Sequence, residues 1–204
     1  MFGIIPALYL SPDEVRVPPV VRPVGAQAMA LREQIRSLPG VRIGIIYGGN
    51  PDRRDDWLRT VPLEVLGTIA RVKGVSWVNL MVDERADKQQ ARELFQYLDP
   101  MPEVHNFADT AAIVEELDAV VAVDCSVAHV TGNLGKPLWI LAPPSADWRW
   151  QIGDDVKPWW PTARLLRSEA PGKWTEAIAV LERELSAFVE SRMALGERST
   201  QLPA

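Results

Sequence analysis

The stretch "DAVVAVDCSVAHVTGNLGKPLWIL", residues 118–141, decides the fold. Residues 119–123, "AVVAV", are a short continuous apolar run rich in β-branched side chains. Such a run marks a strand covered on both faces. Asp124, Cys125 and Ser126 interrupt it. Residues 126–134 then take up a helical period, which Gly135 ends. "PLWIL", 137–141, is a second apolar strand. Strand, polar turn, helix, strand is a βαβ unit, whose two strands run parallel.

The alternation extends in both directions. Upstream, Ala28, Leu31, Ile35 and Leu38 at helical spacing predict a helix over 26–38, stopped by Pro39-Gly40. "VRIGIIY" (41–47) is a strand leading into Gly48-Gly49-Asn50-Pro51. Pro62 opens a helix over 62–72. "VSWVNLM" (75–81) is a strand, 86–98 an amphipathic helix and "EVHNF" (103–107) a short strand. Asp109 is the expected N-cap of a helix reaching Leu117. Downstream, "ARLLR" (163–167) is a strand and 173–192 a long helix. The pattern predicts an α/β protein, a Rossmann-like three-layer sandwich with a five- or six-stranded parallel sheet and right-handed crossovers. Residues 11–25 carry four prolines, so 1–39 read as a strap or linker with one helix, 40–192 as the Rossmann-like domain and 193–204 as a frayed tail.

Composition narrows the function classes. The chain of 204 residues is 47% hydrophobic and 24% charged, with net charge -5 and no dense Lys/Arg block. That argues against nucleic acid or an anionic membrane as partner. One cysteine excludes a disulfide framework and a Cys-based zinc site, and fits a reducing compartment. Two histidines, His105 and His129, leave little for a His-rich metal site. "MFGIIPALYL" has no basic leader region and is broken by Pro6, and no run approaches the roughly 18 apolar residues of a membrane span. The expectation is a cytoplasmic protein.

Ligands of open parallel sheets bind beyond the carboxyl ends of the strands. The loops after residues 47, 81, 107, 123 and 141 are therefore the places to look. After 123, Asp124 sits at a strand end, and Cys125 and Ser126 open a helix whose unbonded N–H groups and dipole favour an anion. At about 100° per residue, Val127, Val130, Thr131 and Leu134 form one stripe, with Ser126, His129 and Asn133 opposite. His129 lies off the apolar stripe, within reach of a ligand held over the helix start. The pattern equally allows Ser126 to be a plain cap and His129 to bond a nearby carbonyl. The helix start would lower the Cys125 pKa, but no histidine is placed to serve it as a base.

The loop after 47, "GGNPDRRDDWLRT", is glycine-led. Gly48 and Gly49 permit close backbone approach, and Arg53, Arg54 and Arg59 suit a phosphate. Asp52, Asp55 and Asp56 balance those arginines, so for any single one a solvated loop is the preferred reading. It is not a Walker motif. Asp83, Glu84 and Arg85 read as a solvated turn. Trp148, Trp150, Trp159 and Trp160 fall within thirteen positions of the long loop after 141. Trp148 and Trp150 suit stacking on a base or sugar ring, or equally a satellite core.

The whole string "ADTAAIVEELDAVVAVDCSVAHVTGNLGKPLWILAPPSADWRWQIGDDVKPWWPTARLLR" (108–167) resembles the C-terminal half of heptosyltransferase-like glycosyltransferases, family 9, in the version found behind tetratricopeptide repeats in bacteria. "GIIYGGNPDRRDDWLRTVPLEVL" (44–66) resembles the Gly-Asn-Pro loop of the same proteins. The resemblance covers roughly residues 40–185. It implies half of a GT-B fold and a nucleotide-diphosphate sugar as substrate, with no cofactor and no metal. It implies that Asp124, Cys125, Ser126 and His129 hold the donor diphosphate and sugar, with Arg59 facing the diphosphate and Gly48, Gly49 and Asn50 lining the cleft.

Two features depart from the family pattern. Cys125 stands where the family has threonine, and "NLMVDE" (79–84) lacks the usual glutamine or glutamate, with Asp83 a weak stand-in. "PALYLSPDEV" (6–15) resembles only the last strap of the N-terminal domain, which in this family carries the acceptor surface and usually the base. The sequence expectation is an inverting, metal-independent glycosyltransferase-type domain. The alternative is a non-catalytic nucleotide-sugar-binding module that needs a separate N-terminal domain, a tetratricopeptide-repeat protein or a second copy. An epimerase on the same fold is disfavoured by the motif string. The catalytic base stays unassigned.

Overall fold

The computed structural model describes residues 22–82, 85–145, 150 and 160–200, with side chains through 195. Five strands form one all-parallel sheet. They are β1 (Val41–Ile46), β2 (Val75–Asn79), β3 (Ala119–Val123), β4 (Leu138–Ala142) and β5 (Ala163–Arg167), in the order β2-β1-β3-β4-β5. Six helices accompany them: α1 (Ala26–Arg36), α2 (Leu63–Ala70), α3 (Lys88–Phe95), α4 (Phe107–Glu116), α5 (Ser126–Asn133) and α6 (Thr175–Thr200). Helices α1, α4 and α5 pack together on one side, and α2 packs against α3 and α6 on the other. This is the three-layer sandwich the alternation predicts.

Register follows burial. Ile43 and Ile45 of β1 pair with Trp77 and Asn79 of β2 on one flank and with Ala119 and Val121 of β3 on the other. Every residue of β3 and β4 is buried, as continuous apolar runs require. The middle strands also carry small side chains. A Cβ on Gly44 would come within 2.5 Å of Leu80 and 2.8 Å of Leu117, so the bare backbone of β1 admits both leucines.

Three sequence expectations are corrected. Residues 103–107 are not a strand: a 3₁₀ turn spans Met101–Glu103, and the sheet has five strands among the described residues. Asn106, not Asp109, caps α4, accepting from the amides of Ala108 and Asp109. The Asp109 carboxylate instead accepts the His105 amide at 3.0 Å, so cap and first-turn acid tie the helix entry from both sides. The last helix does not fray at 193 but runs to Thr200, and residues 201–204 lie outside the described residues. Val189 and Met193 pack over Gly74, and Arg192 pairs with Asp118, so this stretch of α6 has tertiary partners the local pattern does not reveal. Most of the 1–39 segment also lies outside the described residues, which begin at Arg22.

Asp118 joins three elements. Its carboxylate accepts the Arg42 amide at 2.9 Å and the Arg42 Nε at 3.2 Å, and it pairs with Arg192. Burial pushes its pKa up, but the Arg42 amide and the two guanidiniums outweigh it, and the net shift is downward. A depressed carboxyl adds stability above its unfolded-state pKa and loses it as pH falls through the folded value. Asp118→Asn should cost about 1–3 kcal/mol at neutral pH. Thermal melts of both forms as pH falls should show the gap closing once Asp118 is protonated.

Candidate functional site

The strand order places the site. The chain leaves β1 for its neighbour on one side and leaves β3 for its neighbour on the other, so their two outgoing loops diverge. The crevice between diverging loops is where open α/β sheets hold ligands.

After β1 the chain makes a closed loop. The Val61 amide donates to the Tyr47 carbonyl at 2.8 Å, bringing both ends of 48–60 together. Inside it, Asn50 accepts the Asp52 amide at 2.9 Å, and a 3₁₀ turn spans Asp56–Leu58. Asp56 points inward and is 6% exposed, Trp57 points outward, and Leu58 and Arg59 face the crevice.

The inward acid meets a cation that the sequence reading misplaces. Arg85 is no solvated residue: its side chain is 12% exposed and donates to Asp56 Oδ2 at 3.0 Å and to the Gly49 carbonyl at 3.1 Å. A second nitrogen reaches Thr60 Oγ1 at 3.3 Å, and Thr60 donates to Asp56 at 2.9 Å. Asp87 lies 3.5 Å from Arg85 Nε and accepts the Tyr47 hydroxyl at 3.1 Å. Burial works against the charge on Arg85, but Asp56 more than offsets it and the pKa is raised. The two glycines are required here. A Cβ on Gly48 would sit 2.8 Å from the Arg85 guanidinium, and one on Gly49 would sit 2.5 Å from Asp56. Asp83 and Glu84 lie outside the described residues.

After β3, Cys125 is the N-cap residue of α5 in extended conformation, and its side chain makes no capping hydrogen bond. The first turn of α5 thus borders the crevice, with Cys125, Ser126 and Val127 among its lining residues. Burial pushes the Cys125 thiol up to about 11, against the pull of the Ala128 and Val127 amides. The helix start thus does not produce the lowered pKa the sequence suggests, and the group is a neutral thiol at neutral pH. Ser126 is exposed at the mouth.

Seven residues singled out in the sequence converge. Gly48, Gly49, Asn50, Arg59, Asp124, Cys125 and Ser126 line one cleft of about 360 Å³, closed on its apolar side by Ile46, Leu80, Met81, Val82 and Val127. A second cleft of about 230 Å³ shares Arg53, Arg59 and Asp124 with it and continues to Leu58, Pro143 and Ser145. Arg53 is held by Asp55 through two 3.0 Å hydrogen bonds. Arg59 is 3.8 Å from the same acid and is the less committed of the two. Among the described residues no group of His, Cys, Asp and Glu could hold a metal ion.

His129 is not a lining residue of either cleft. It sits beside Asp124, its Nε2 3.9 Å from Asp124 Oδ1. Trp150 stacks on its ring, with centroids 5.2 Å apart and planes 12° from parallel. Trp160 donates its indole N–H to His129 Nδ1 at 3.2 Å. The helix face that reads as polar thus runs from exposed Ser126 through half-buried His129 to Asn133, which is 8% exposed. Trp150 is fully buried, its carbonyl taken by Arg167 at 2.6 Å. It is a packing residue for His129, not a platform for a base or sugar. Trp148 lies outside the described residues.

A five-stranded parallel sheet with helices on both faces and a crevice at its switch point defines a Rossmann-like fold. Two solved structures share that fold. A family 9 glycosyl transferase from Veillonella parvula superposes with TM-score 0.55 and 14% identity, over 81% of this chain and 47% of its own. The ADP-heptose LPS heptosyltransferase II of E. coli gives TM-score 0.56 and 17% identity, over 89% of this chain and 57% of its own. Protein FlbA of Caulobacter vibrioides is 23% identical over 193 residues, 90% of this chain and 30% of its own length. No family model matches the sequence. The chain spans about half of each solved relative and under a third of the curated one. At these identities the likeness establishes the fold, and it agrees with the resemblance seen in the motif string.

Asp56→Ala would leave the Arg85 guanidinium buried with Asp87 as its one nearby acid, and should cost about 3–5 kcal/mol. The double change Asp56→Leu with Arg85→Met removes both charges and should cost less than Asp56→Ala alone. Chemical denaturation of the single and double variants measures the difference.

Proposed function

We propose that this chain binds the diphosphate of a nucleotide-sugar donor in the crevice between the β1 and β3 loops, as the donor half of an inverting, metal-independent glycosyltransferase. The observation that carries the reading is the pairing of the uncapped start of α5 with Arg59 across one cleft. A helix N-terminus and an arginine suit a diphosphate, one through aligned amides and dipole, the other through a charged fork.

Chemically, an acceptor hydroxyl attacks the anomeric carbon on the face opposite the diphosphate and loses its proton to a general base outside this half, while the bond from that carbon to the diphosphate oxygen breaks and the nucleoside diphosphate departs. Negative charge develops on the departing oxygen. On this reading the amides of α5 and Arg59 stabilise it, which is the service a metal gives elsewhere. Asp124 borders both clefts and is suited to accept hydroxyls of the sugar or ribose. Cys125, as a neutral thiol, gives a weaker hydrogen bond than a threonine hydroxyl.

A second reading is a binding module that completes its active site with another domain, a tetratricopeptide-repeat protein or a second copy of the chain. Its support is that the chain covers about half of the solved relatives. Transfer or donor hydrolysis by the isolated chain would reject it.

Calorimetric titration with ADP, GDP and UDP should show binding by one of them, unchanged by EDTA. Arg59→Ala should weaken it by about 10- to 100-fold, the worth of a charge-assisted hydrogen bond. Its melting temperature should stay close to that of the wild type. No binding of any of the three at millimolar concentration would reject the proposal.

A further inference from the structure

We infer that Trp160 is a positioning residue for the donor site, acting through His129. The inference rests on the donor-site reading above for its consequence, but its structural core stands alone. An indole nitrogen only donates. The Trp160 Nε1–H lies 3.2 Å from His129 Nδ1, so that nitrogen is the acceptor. A neutral imidazole has one N–H, and an accepting Nδ1 puts it on Nε2. Nε2 is the atom that faces Asp124, which lines both clefts. The tryptophan thereby sets which ring nitrogen carries the proton toward the site.

The rest of the packing serves that one geometry. A Cβ on Gly132 would fall 2.1 Å from the Trp160 ring, so a glycine in α5 is what lets the indole come alongside His129. Trp160 meets the imidazole edge-on, with centroids 6.2 Å apart and planes at 63°. Trp150 stacks on the imidazole face and is itself tied to β5 through Arg167. The ring is thus held by two tryptophans from the segment between β4 and β5, and neither tryptophan lines the clefts. This gives Trp150 and Trp160 a role that stacking on a ligand does not require: they orient the imidazole beside Asp124.

The test uses the full chain, labelled with ¹⁵N-histidine, and long-range proton–nitrogen correlation of the imidazole rings. With two histidines in the sequence, a His105→Gln control assigns His129. Neutral His129 should carry its proton on Nε2 in the wild type. Trp160→Phe keeps an aromatic ring beside Gly132 and removes the N–H. It should raise the share of the ring protonated on Nδ1 and weaken nucleoside diphosphate binding by about threefold, a fraction of a hydrogen bond, because Nε2 and Asp124 stand 3.9 Å apart. A role in packing alone would lower the melting temperature and leave the tautomer as it was. A wild-type ring protonated on Nδ1, or a variant with unchanged tautomer, would overturn the inference. If the wild type binds no nucleoside diphosphate, the donor-site proposal falls, while the tautomer result still decides the role of Trp160.

Discussion

The structure depends on one constraint: in a parallel sheet every strand must be re-entered from the same end, and a change of winding direction leaves a gap. Here the change falls between β1 and β3, which lie side by side in the sheet and send their following helices to opposite layers. No covering element can close the gap between them without breaking a crossover. The crevice is therefore a product of topology, and the side chains at its lips are the ones free to carry chemistry. Gly48-Gly49-Asn50 on one lip and Asp124-Cys125-Ser126 on the other are in that position because their strands end there.

What stiffens the crevice is less apparent. The 48–60 loop would be mobile if its charges were solvated, since short polar loops gain little from burial. Instead Asp56 turns inward and Arg85 reaches over from the segment after β2 to meet it. The guanidinium also bonds the Gly49 carbonyl and Thr60. A buried pair of this kind contributes little net stability, because both charges are desolvated. Its effect is geometric: it fixes the turn that carries Gly49 and Asn50 and leaves Arg59 facing the cleft. On the other lip, His129 lies 3.9 Å from Asp124 with its ring packed against Trp150 and Trp160.

Much of this was legible in the sequence, and the parts that were not share a cause. The strands of the sheet, the helices between them and the lining residues follow from apolar periodicity and from position at strand ends, both of which are local. The role of Arg85 is not legible locally, because its partner lies 29 residues upstream and only the fold brings them together. Trp150 was ambiguous because an indole suits a ligand and a core equally well. His129 was placed on the correct helix face, but the pattern could not show that tryptophans from beyond β4 cover that face. The cap of α4 was misassigned because Asn106 and Asp109 are both good caps and the winner depends on where the preceding 3₁₀ turn releases the chain.

The central claim is that the start of α5 and the Gly48–Asn50 turn together receive a nucleoside diphosphate. Its most direct test is a backbone amide NMR titration of the ¹⁵N-labelled chain with ADP, GDP and UDP. The account predicts that the largest shifts fall on Gly48, Gly49, Asn50, Ser126 and Val127, with Arg59 Nε perturbed alongside. Shifts confined to other parts of the sheet, or none with any of the three at millimolar concentration, would contradict it.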